Sequence, residues 1–206
     1  MLSGVAGWPA FAAARDRSIR RLRGRVLEIG AGSGANFTPL DPGVEWVGLE
    51  PSARLRARLA ETARRHGYPT PPLAATGEDI PLPDASVDAV LATTVLCSVR
   101  DPARVLREAA RVLVPGGRLV LAEHVAAPEG TGVRRLQQIA RPWTRLLDHG
   151  CDPTRDTEGA VRCSPLHVES VELFHIQVIA RFQVPFLLID ATKPIRTRPH
   201  SKGGLP

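Results

Sequence analysis

Short apolar segments alternate with longer amphipathic ones along most of the chain. Near-continuous apolar runs that are bounded by glycine, proline or polar residues indicate buried strands. The predicted strands are residues 25–30, residues 45–50, a short third strand that the Pro-rich segment 68–76 leads into, and residues 87–96, 118–126, 168–178 and 183–193.

Amphipathic segments between these strands predict helices. One helix is expected within residues 51–67, with Ser52 as its N-cap. A second begins at Asp101 and is predicted to end in the Pro-Gly-Gly sequence at 115–117. A third is predicted at residues 131–148.

Strands that are apolar throughout and alternate with helices are typical of an α/β protein, in which helices cover both faces of a parallel sheet. In such a sheet the ligand binds outside the carboxyl ends of the strands, at the point where the strand order reverses. The first strand and the turn after it, residues 25–35, are therefore the expected centre of the binding site.

The basic charge of the chain lies at its ends. The formal net charge is +6, of which the first 25 residues carry +5 and residues 193–206 carry +4, so that residues 26–192 sum to −3. A chain of 206 residues is most simply one domain. We therefore expect a basic N-terminal helix at 1–24, one folded domain at 25–192 and a basic tail at 193–206. Nucleic-acid binding is not expected, because the folded part is mildly acidic.

The cysteines indicate neither a disulfide framework nor a metal site. Cys97, Cys151 and Cys163 are odd in number and have no C-x-x-C spacing. This usage favours a reducing cytoplasm. The apolar start of the chain leaves peripheral membrane contact through the N-terminal segment open, and the oligomeric state is not predicted.

The stretch VLEIGAGSGANF, residues 26–37, contains the chain's most specific motif. Its glycines fit a turn that lets a ligand approach the backbone, and they also satisfy the looser dinucleotide pattern G-x-G-x-x-G/A. Glu50 follows Gly30 by twenty positions, where a carboxylate can accept both hydroxyls of a ribose. Glu28 is close enough to orient a ligand ammonium, directly or through water, and a pyrophosphate would not favour its charge. An adenosine ligand without a pyrophosphate is therefore preferred.

Several longer stretches carry a family resemblance. They are LEIGAGSGANF, AATGED, SVDAVLATTVLCSV, RVLVPGGRLVLAEHVAA and GCDPTRDT. The sequence resembles the class I S-adenosylmethionine-dependent methyltransferases of the type-11 group. Within that group it is similar to the methyltransferase-like seven proteins, which are alkyl-thiol methyltransferases. The resemblance implies a Rossmann-like fold, with a mostly parallel seven-stranded sheet, an antiparallel last strand and helices on both faces.

The resemblance also implies which residues bind S-adenosylmethionine and its product S-adenosylhomocysteine. Glu50 would hold the ribose, and Thr76 stands where relatives usually offer an acid to the adenine. The cofactor-binding residues implied are Glu28, Gly30, Gly32, Gly34, Glu50, Thr76, Gly77, Glu78, Thr94 and Leu96.

The implied reaction is direct displacement of the methyl group, for which no metal is expected. His124 and His149 are the candidate bases. Cys97, Cys151 and Arg155 are assigned to the acceptor pocket. The last strand departs from the Pro-His-Ile pattern of the relatives, which puts the identity of the acceptor in doubt.

The expected function is methyl transfer from S-adenosylmethionine to a small lipophilic acceptor, with a thiol preferred. Transfer to oxygen, nitrogen or carbon of a quinone, lipid or other metabolite stays open. A non-catalytic S-adenosylmethionine-binding module would share the same glycines. Glu28 and the Pro-Gly-Gly turn together disfavour an NAD-dependent oxidoreductase.

Overall fold

A computed structural model describes residues 6–147, 150–179 and 182–195. Helices and strands alternate through the first two thirds of the chain, and two long strands follow. The elements are α1 (Trp8–Ile19), β1 (Arg25–Ile29), β2 (Glu45–Leu49), α2 (Ala53–Arg65), β3 (Val87–Thr93), α3 (Pro102–Val112), β4 (Leu113–His124), α4 (Gly132–Leu147), α5 (Thr157–Arg162), β5 (His167–Ile179) and β6 (Phe182–Thr192).

The strands form one sheet in the order β2-β1-β3-β4-β6-β5. The first four are parallel, with Val26 opposite Ala89 and Ala89 opposite Arg118. β6 inserts antiparallel between β4 and β5. The predicted fold class, a mostly parallel sheet whose last strand is antiparallel, is confirmed.

The described residues contain six strands where the sequence predicts seven. In place of the third predicted strand there is a single bridge from Leu49 to Leu73, with the Leu73 N–H donating to the Gly48 carbonyl at 2.8 Å. Pro71 and Pro72 come directly before it and have no N–H to continue a ladder. The proline content of this segment is the physical reason for the difference.

Two apolar clusters, one on each face of the sheet, form the core. Val105 and Leu106 of α3 and Val161 of α5 belong to the first cluster. Phe11 of α1 and Leu59 of α2 belong to the second cluster. Helices therefore cover both faces, as predicted.

The predicted helix starts are correct, but the predicted end of α3 is wrong. The Ser52 hydroxyl caps α2 and the Asp101 carboxylate caps α3. α3 ends at Val112, before the Pro-Gly-Gly sequence, because the N–H groups of Ala85 and Ser86 bind the last carbonyl groups of the helix. The Pro-Gly-Gly residues instead lie inside β4.

α1 is part of the same packed unit as the sheet. The Phe11 ring lies 5.5 Å from the ring of Phe174 in β5 and 5.0 Å from that of Phe186 in β6. The Ser18 hydroxyl donates to Asp190 of β6 at 3.0 Å. The predicted domain boundaries at 24 and 193 remain predictions.

α4 has its amphipathic faces reversed. Gln137 is 5% exposed, and its amide binds the backbone of Ala127 and Val125 at 2.8 and 2.9 Å. On the opposite side Ile139 is 70% exposed, Trp143 65% and Leu146 76%. Hydrogen bonds, rather than apolar packing, therefore hold this helix to the body. None of the helices within the described ranges is long and apolar enough to cross a membrane.

Candidate functional site

A cavity of about 770 Å³ opens at the carboxyl ends of the parallel strands. The turn after β1, the end of β2, the segment before β3 and the loop after β3 all contribute to it. The lining residues are Ile29, Gly30, Gly32, Glu50, Pro51, Ser52, Leu55, Ala75, Thr76, Gly77, Glu78, Thr93, Thr94, Val95, Ser98, Val99, Arg100, Asp101 and Arg104. This is the position that the fold class predicts.

The three glycines of the turn have different surroundings. A Cβ at Gly30 would lie 2.7 Å from the Val95 side chain, so this glycine permits close packing of the loop after β3. At Gly32, where φ is +58°, a Cβ would meet nothing closer than the Gly30 carbonyl at 4.0 Å. A Cβ at Gly34 would collide with Phe37, and Gly34 does not line the cavity. Gly32 therefore leaves open space where a ligand can approach the backbone.

Glu50 is fixed at the cavity wall by two backbone donors. The Gly32 N–H donates to one carboxylate oxygen at 3.0 Å, and the Ser52 N–H donates to the other at 2.8 Å. Each carboxylate oxygen keeps further acceptor capacity. The geometry suits a ligand that presents two neighbouring hydroxyl groups.

Thr76, Gly77 and Glu78 lie together on the cavity wall. Partial burial favours a higher pKa for Glu78. Hydrogen bonds from the backbone N–H of Arg100, at 2.8 Å, and from other neighbours outweigh this effect and lower the pKa. Glu78 is therefore an ionised acceptor at neutral pH, which ties the segment before β3 to the loop after it.

The structure places Glu28 outside the cavity lining. It is 1% exposed, and its two oxygens accept hydrogen bonds from the Asn36 amide and the Trp46 indole, both at 2.8 Å. Burial raises the pKa of Glu28 to about 7, against the opposing effect of these two hydrogen bonds. Asn36 also donates to the hydroxyl of Thr93, which does line the cavity. Glu28 is thus linked to the cavity through hydrogen bonds that involve Asn36 and Thr93. The contact of Glu28 with the cofactor stays a prediction.

The loop after β3 is held in an unusual conformation. Thr94 lines the cavity with a φ of +53°, and its N–H donates to the Ala122 carbonyl at 2.9 Å. Leu96, by contrast, is buried in the core and does not line the cavity. Its predicted cofactor contact is not provided by its side chain.

Glu123 organises this loop, and sequence reasoning missed it. One carboxyl oxygen accepts the N–H groups of Val95 and Leu96 at 2.8 and 3.1 Å. The other oxygen is buried and has no hydrogen-bond partner among the described residues. Burial, and secondarily the neighbouring Cys97, raise the pKa of Glu123 to about 8. An acidic residue within an otherwise apolar strand was the only sequence signal.

Three of the residues that the sequence assigned to the acceptor side come together behind this loop. The Sγ atoms of Cys97 and Cys151 and one ring nitrogen of His124 all lie within 4.8 Å of one another. Cys97 and Cys151 are buried thiols, and a hydrogen bond with Cys151, together with burial, raises the pKa of Cys97. His149, the other candidate base, lies outside the described residues.

Arg155 binds the backbone of the loop after β3. Its guanidinium donates to the backbone carbonyls of Leu96, at 3.0 Å, and Val99. It does not line the main cavity, but it does line a smaller one of about 240 Å³ beside α5. Its predicted contact with the acceptor stays a prediction, while its hold on the loop after β3 is direct.

The fold and the position of the cavity are those of the Rossmann-like class of α/β proteins. The chain is similar to the crystal structure of a putative methyltransferase from Bacillus halodurans, with a TM-score of 0.73 over 88% of this chain and 98% of that chain. Only 17% of the residues are identical, so this likeness concerns the fold.

Sequence comparison then finds a matching domain family. Residues 27–121 match the type-11 family described as a methyltransferase domain. This match to a methyltransferase domain over residues 27–121 confirms the resemblance inferred from the motifs.

Two human thiol S-methyltransferases are homologous to the chain. It is 41% identical to TMT1B over 64% of this chain and 55% of the relative. It is 37% identical to TMT1A over 74% of this chain and 63% of the relative. The match thus spans only part of each relative, 55% of the length of TMT1B and 63% of the length of TMT1A.

Proposed function

We propose that the chain is an S-adenosylmethionine-dependent methyltransferase that acts on a small lipophilic thiol. One observation carries the assignment of the cofactor. Glu50 is fixed by the N–H groups of Gly32 and Ser52 beside open space at Gly32. This arrangement fits the ribose of an adenosine ligand, and the methyltransferase domain makes S-adenosylmethionine the fitting one.

Bound S-adenosylmethionine supplies a methyl group that is already activated by the positive charge on its sulfur. The protein then needs mainly to position the reactants and exclude water, which can lower the barrier by about 7–11 kcal/mol. In this proposal Glu50 holds the ribose hydroxyls. Thr76, Gly77 and Glu78 surround the adenine, and Thr94 lies beside the reacting end.

The preference for a thiol acceptor has two supports. The two human relatives, which match 64% and 74% of the chain, are named thiol S-methyltransferases. The second support is the cluster of Cys97, Cys151 and His124 at the carboxyl end of β4, because thiol and imidazole groups are suited to a sulfur acceptor. A reducing compartment such as the cytoplasm suits a protein that carries buried thiols.

The cofactor assignment is tested by calorimetry with S-adenosylhomocysteine. We expect micromolar binding, which Glu50→Ala and Gly32→Val should abolish. Glu50→Ala removes the acceptor of the ribose hydroxyls, and a valine at Gly32 would fill the open space. Glu45→Ala is the matched control, because this exposed glutamate lies at the opposite end of β2.

Tight binding of NADH without any response to S-adenosylhomocysteine would overturn the cofactor assignment. Equal binding by the Glu50→Ala and Glu45→Ala variants would instead show that Glu50 does not hold the ligand.

The acceptor is tested by transfer of a labelled methyl group to matched panels of alkyl thiols, phenols, amines and quinones. Thiols should be the best substrates. Preferential labelling of a phenol, amine or quinone would favour the alternative acceptor classes. Cofactor binding with no transfer to any panel would favour the non-catalytic binding module.

A further inference from the structure

Two thiols and an imidazole meet at the carboxyl end of β4, at a place that the proposed cofactor site does not use. The Sγ atoms of Cys97 and Cys151 and one ring nitrogen of His124 lie within 4.8 Å of one another. The separation between Cys151 Sγ and His124 Nε2 is 3.5 Å. The three residues come from the loop after β3, the end of β4 and the segment after α4.

Backbone contacts hold these segments together. The Asp152 N–H donates to the Cys97 carbonyl at 2.8 Å, which fixes the residue after Cys151 against Cys97. Asp152 is itself held by Arg141 at 2.9 Å and by the Thr154 hydroxyl at 2.6 Å. Arg155 binds the carbonyls on either side, those of Leu96 and Val99. Several hydrogen bonds between these segments therefore hold the two thiols close together.

Two cysteine sulfurs and one imidazole nitrogen are the donor set that zinc prefers. Tetrahedral zinc, with bonds of about 2.3 Å to sulfur and about 2.0–2.1 Å to nitrogen, places its ligand atoms roughly 3.5–3.8 Å apart. The Cys151–His124 separation of 3.5 Å already meets this requirement. The remaining separations are no more than 4.8 Å, so that metal binding requires the sulfur and nitrogen atoms to move closer by about 1 Å at most.

We propose that Cys97, His124 and Cys151 bind a zinc ion whose fourth position accepts the substrate thiol. Three protein ligands and one exchangeable position are typical of catalytic zinc sites. Cys97 Sγ lies 3.5 Å from the Ser98 hydroxyl and 3.7 Å from the Thr94 carbonyl, and both residues line the cavity. His124 is only half-buried, whereas both thiols are buried, so the histidine side of the cluster is its least covered side. The role of the fourth position rests on the proposed function.

The chemistry balances without a further reactant. The acceptor R–SH loses its proton to solvent when its sulfur binds zinc. A sulfur lone pair then forms the new bond to the methyl carbon, and the bond from that carbon to the sulfonium sulfur breaks with its electron pair. The products are a neutral thioether and S-adenosylhomocysteine. Metal binding thus solves the problem that a free alkyl thiol, with a pKa of about 8.5 or above, is mostly protonated at neutral pH.

The first test is the metal content of the full-length protein, purified without a histidine tag in a phosphine reductant. We expect one zinc per chain by plasma mass spectrometry. Cys97→Ser, Cys151→Ser and His124→Ala should each lose at least nine tenths of it. Cys163→Ser is the matched control, because this exposed cysteine is outside the cluster, and it should keep its zinc.

The second test replaces zinc with Co²⁺ and records the visible spectrum in the presence of S-adenosylhomocysteine. Two thiolate ligands should give an intense absorption in the near ultraviolet. Addition of butanethiol should increase it further, as a third sulfur enters, whereas butanol should not. A bound metal whose spectrum ignores butanethiol would overturn the acceptor role of the fourth position.

Full-length protein that contains no zinc, and takes up none from a solution of free Zn²⁺ at micromolar concentration, would overturn the proposal. So would a disulfide between Cys97 and Cys151, found by mass spectrometry of the reductant-free protein after zinc addition. Binding of S-adenosylhomocysteine is measured on the same samples. Loss of zinc with intact nucleoside binding then separates failure of this proposal from failure of the cofactor assignment.

Discussion

At Glu28, burial couples a single proton to the stability of the fold. The pKa of Glu28 is about 7 in the folded protein against 4.5 for an ordinary glutamate. Between these values the folded state holds a proton that the unfolded chain has released. The stabilisation that this proton provides is complete below pH 4.5 and is lost as the pH rises through 7.

We therefore predict that Glu28→Gln flattens the pH dependence of stability. In the wild type Glu28 should remove up to about 3 kcal/mol of unfolding free energy between pH 4.5 and pH 8. The variant loses a hydrogen-bond acceptor for Asn36 or Trp46 at every pH, so only the difference between the two pH values is diagnostic. Urea denaturation at pH 5 and pH 8 measures it.

Glu45→Gln provides the comparison for this measurement, because Glu45 is exposed at the start of β2. It should show the same pH dependence as the wild type. An equally steep loss of stability in Glu28→Gln would mean that the buried carboxyl does not bind the proton.

At the scale of an element, α4 shows that an amphipathic pattern does not say which face packs. The helix was correctly predicted from its periodicity, yet its apolar residues Ile139, Trp143 and Leu146 face outward. Gln137 lies on the inner side and binds two backbone groups. The periodicity specifies the helix, and only the partners available from neighbouring segments specify its orientation.

This orientation predicts an inverted mutational pattern. Gln137→Ala should cost about 1–3 kcal/mol, because it leaves the Ala127 N–H and the Val125 carbonyl without their partner. Ile139→Gln should change stability by less than about 0.5 kcal/mol, since this side chain is 70% exposed. Guanidinium denaturation of both variants checks the pattern. Greater destabilisation by Ile139→Gln would mean that the apolar face is packed.

The strand predictions are correct where a segment consists mainly of apolar residues. β1, β2 and β3 start where the apolar runs predict, because buried parallel strands need apolar residues on both faces. The third predicted strand is reduced to one bridge, since the prolines directly before Leu73 cannot donate to a ladder. α5 was missed altogether, because six residues are too few to show helical periodicity.

At the scale of the whole molecule, ligand binding should raise the melting temperature. A ligand at a hundred times its Kd adds about 2.7 kcal/mol to the stability of the folded state. For a chain of 206 residues this corresponds to roughly 5–10 °C. Calorimetry with S-adenosylhomocysteine should show this shift in the wild type and none in Glu50→Ala.

The same calorimetric measurement of the melting temperature is repeated with NADH for comparison. A comparable shift with NADH, and none with S-adenosylhomocysteine, would mean that the glycine turn holds a dinucleotide.

The sequence alone predicted the alternation of strands and helices and the glycine turn after β1, and its motifs carried the resemblance to a methyltransferase domain. These follow from local chemistry: apolar runs, caps and short motifs lie within a few residues of one another. Only the tertiary structure decided that Glu28 is buried and does not line the cavity. It also decided that Glu123 binds the loop after β3 and that Cys97, His124 and Cys151 lie close together. Each of those contacts joins segments that are far apart in the chain, and the strand order that brings them together cannot be read from spacing.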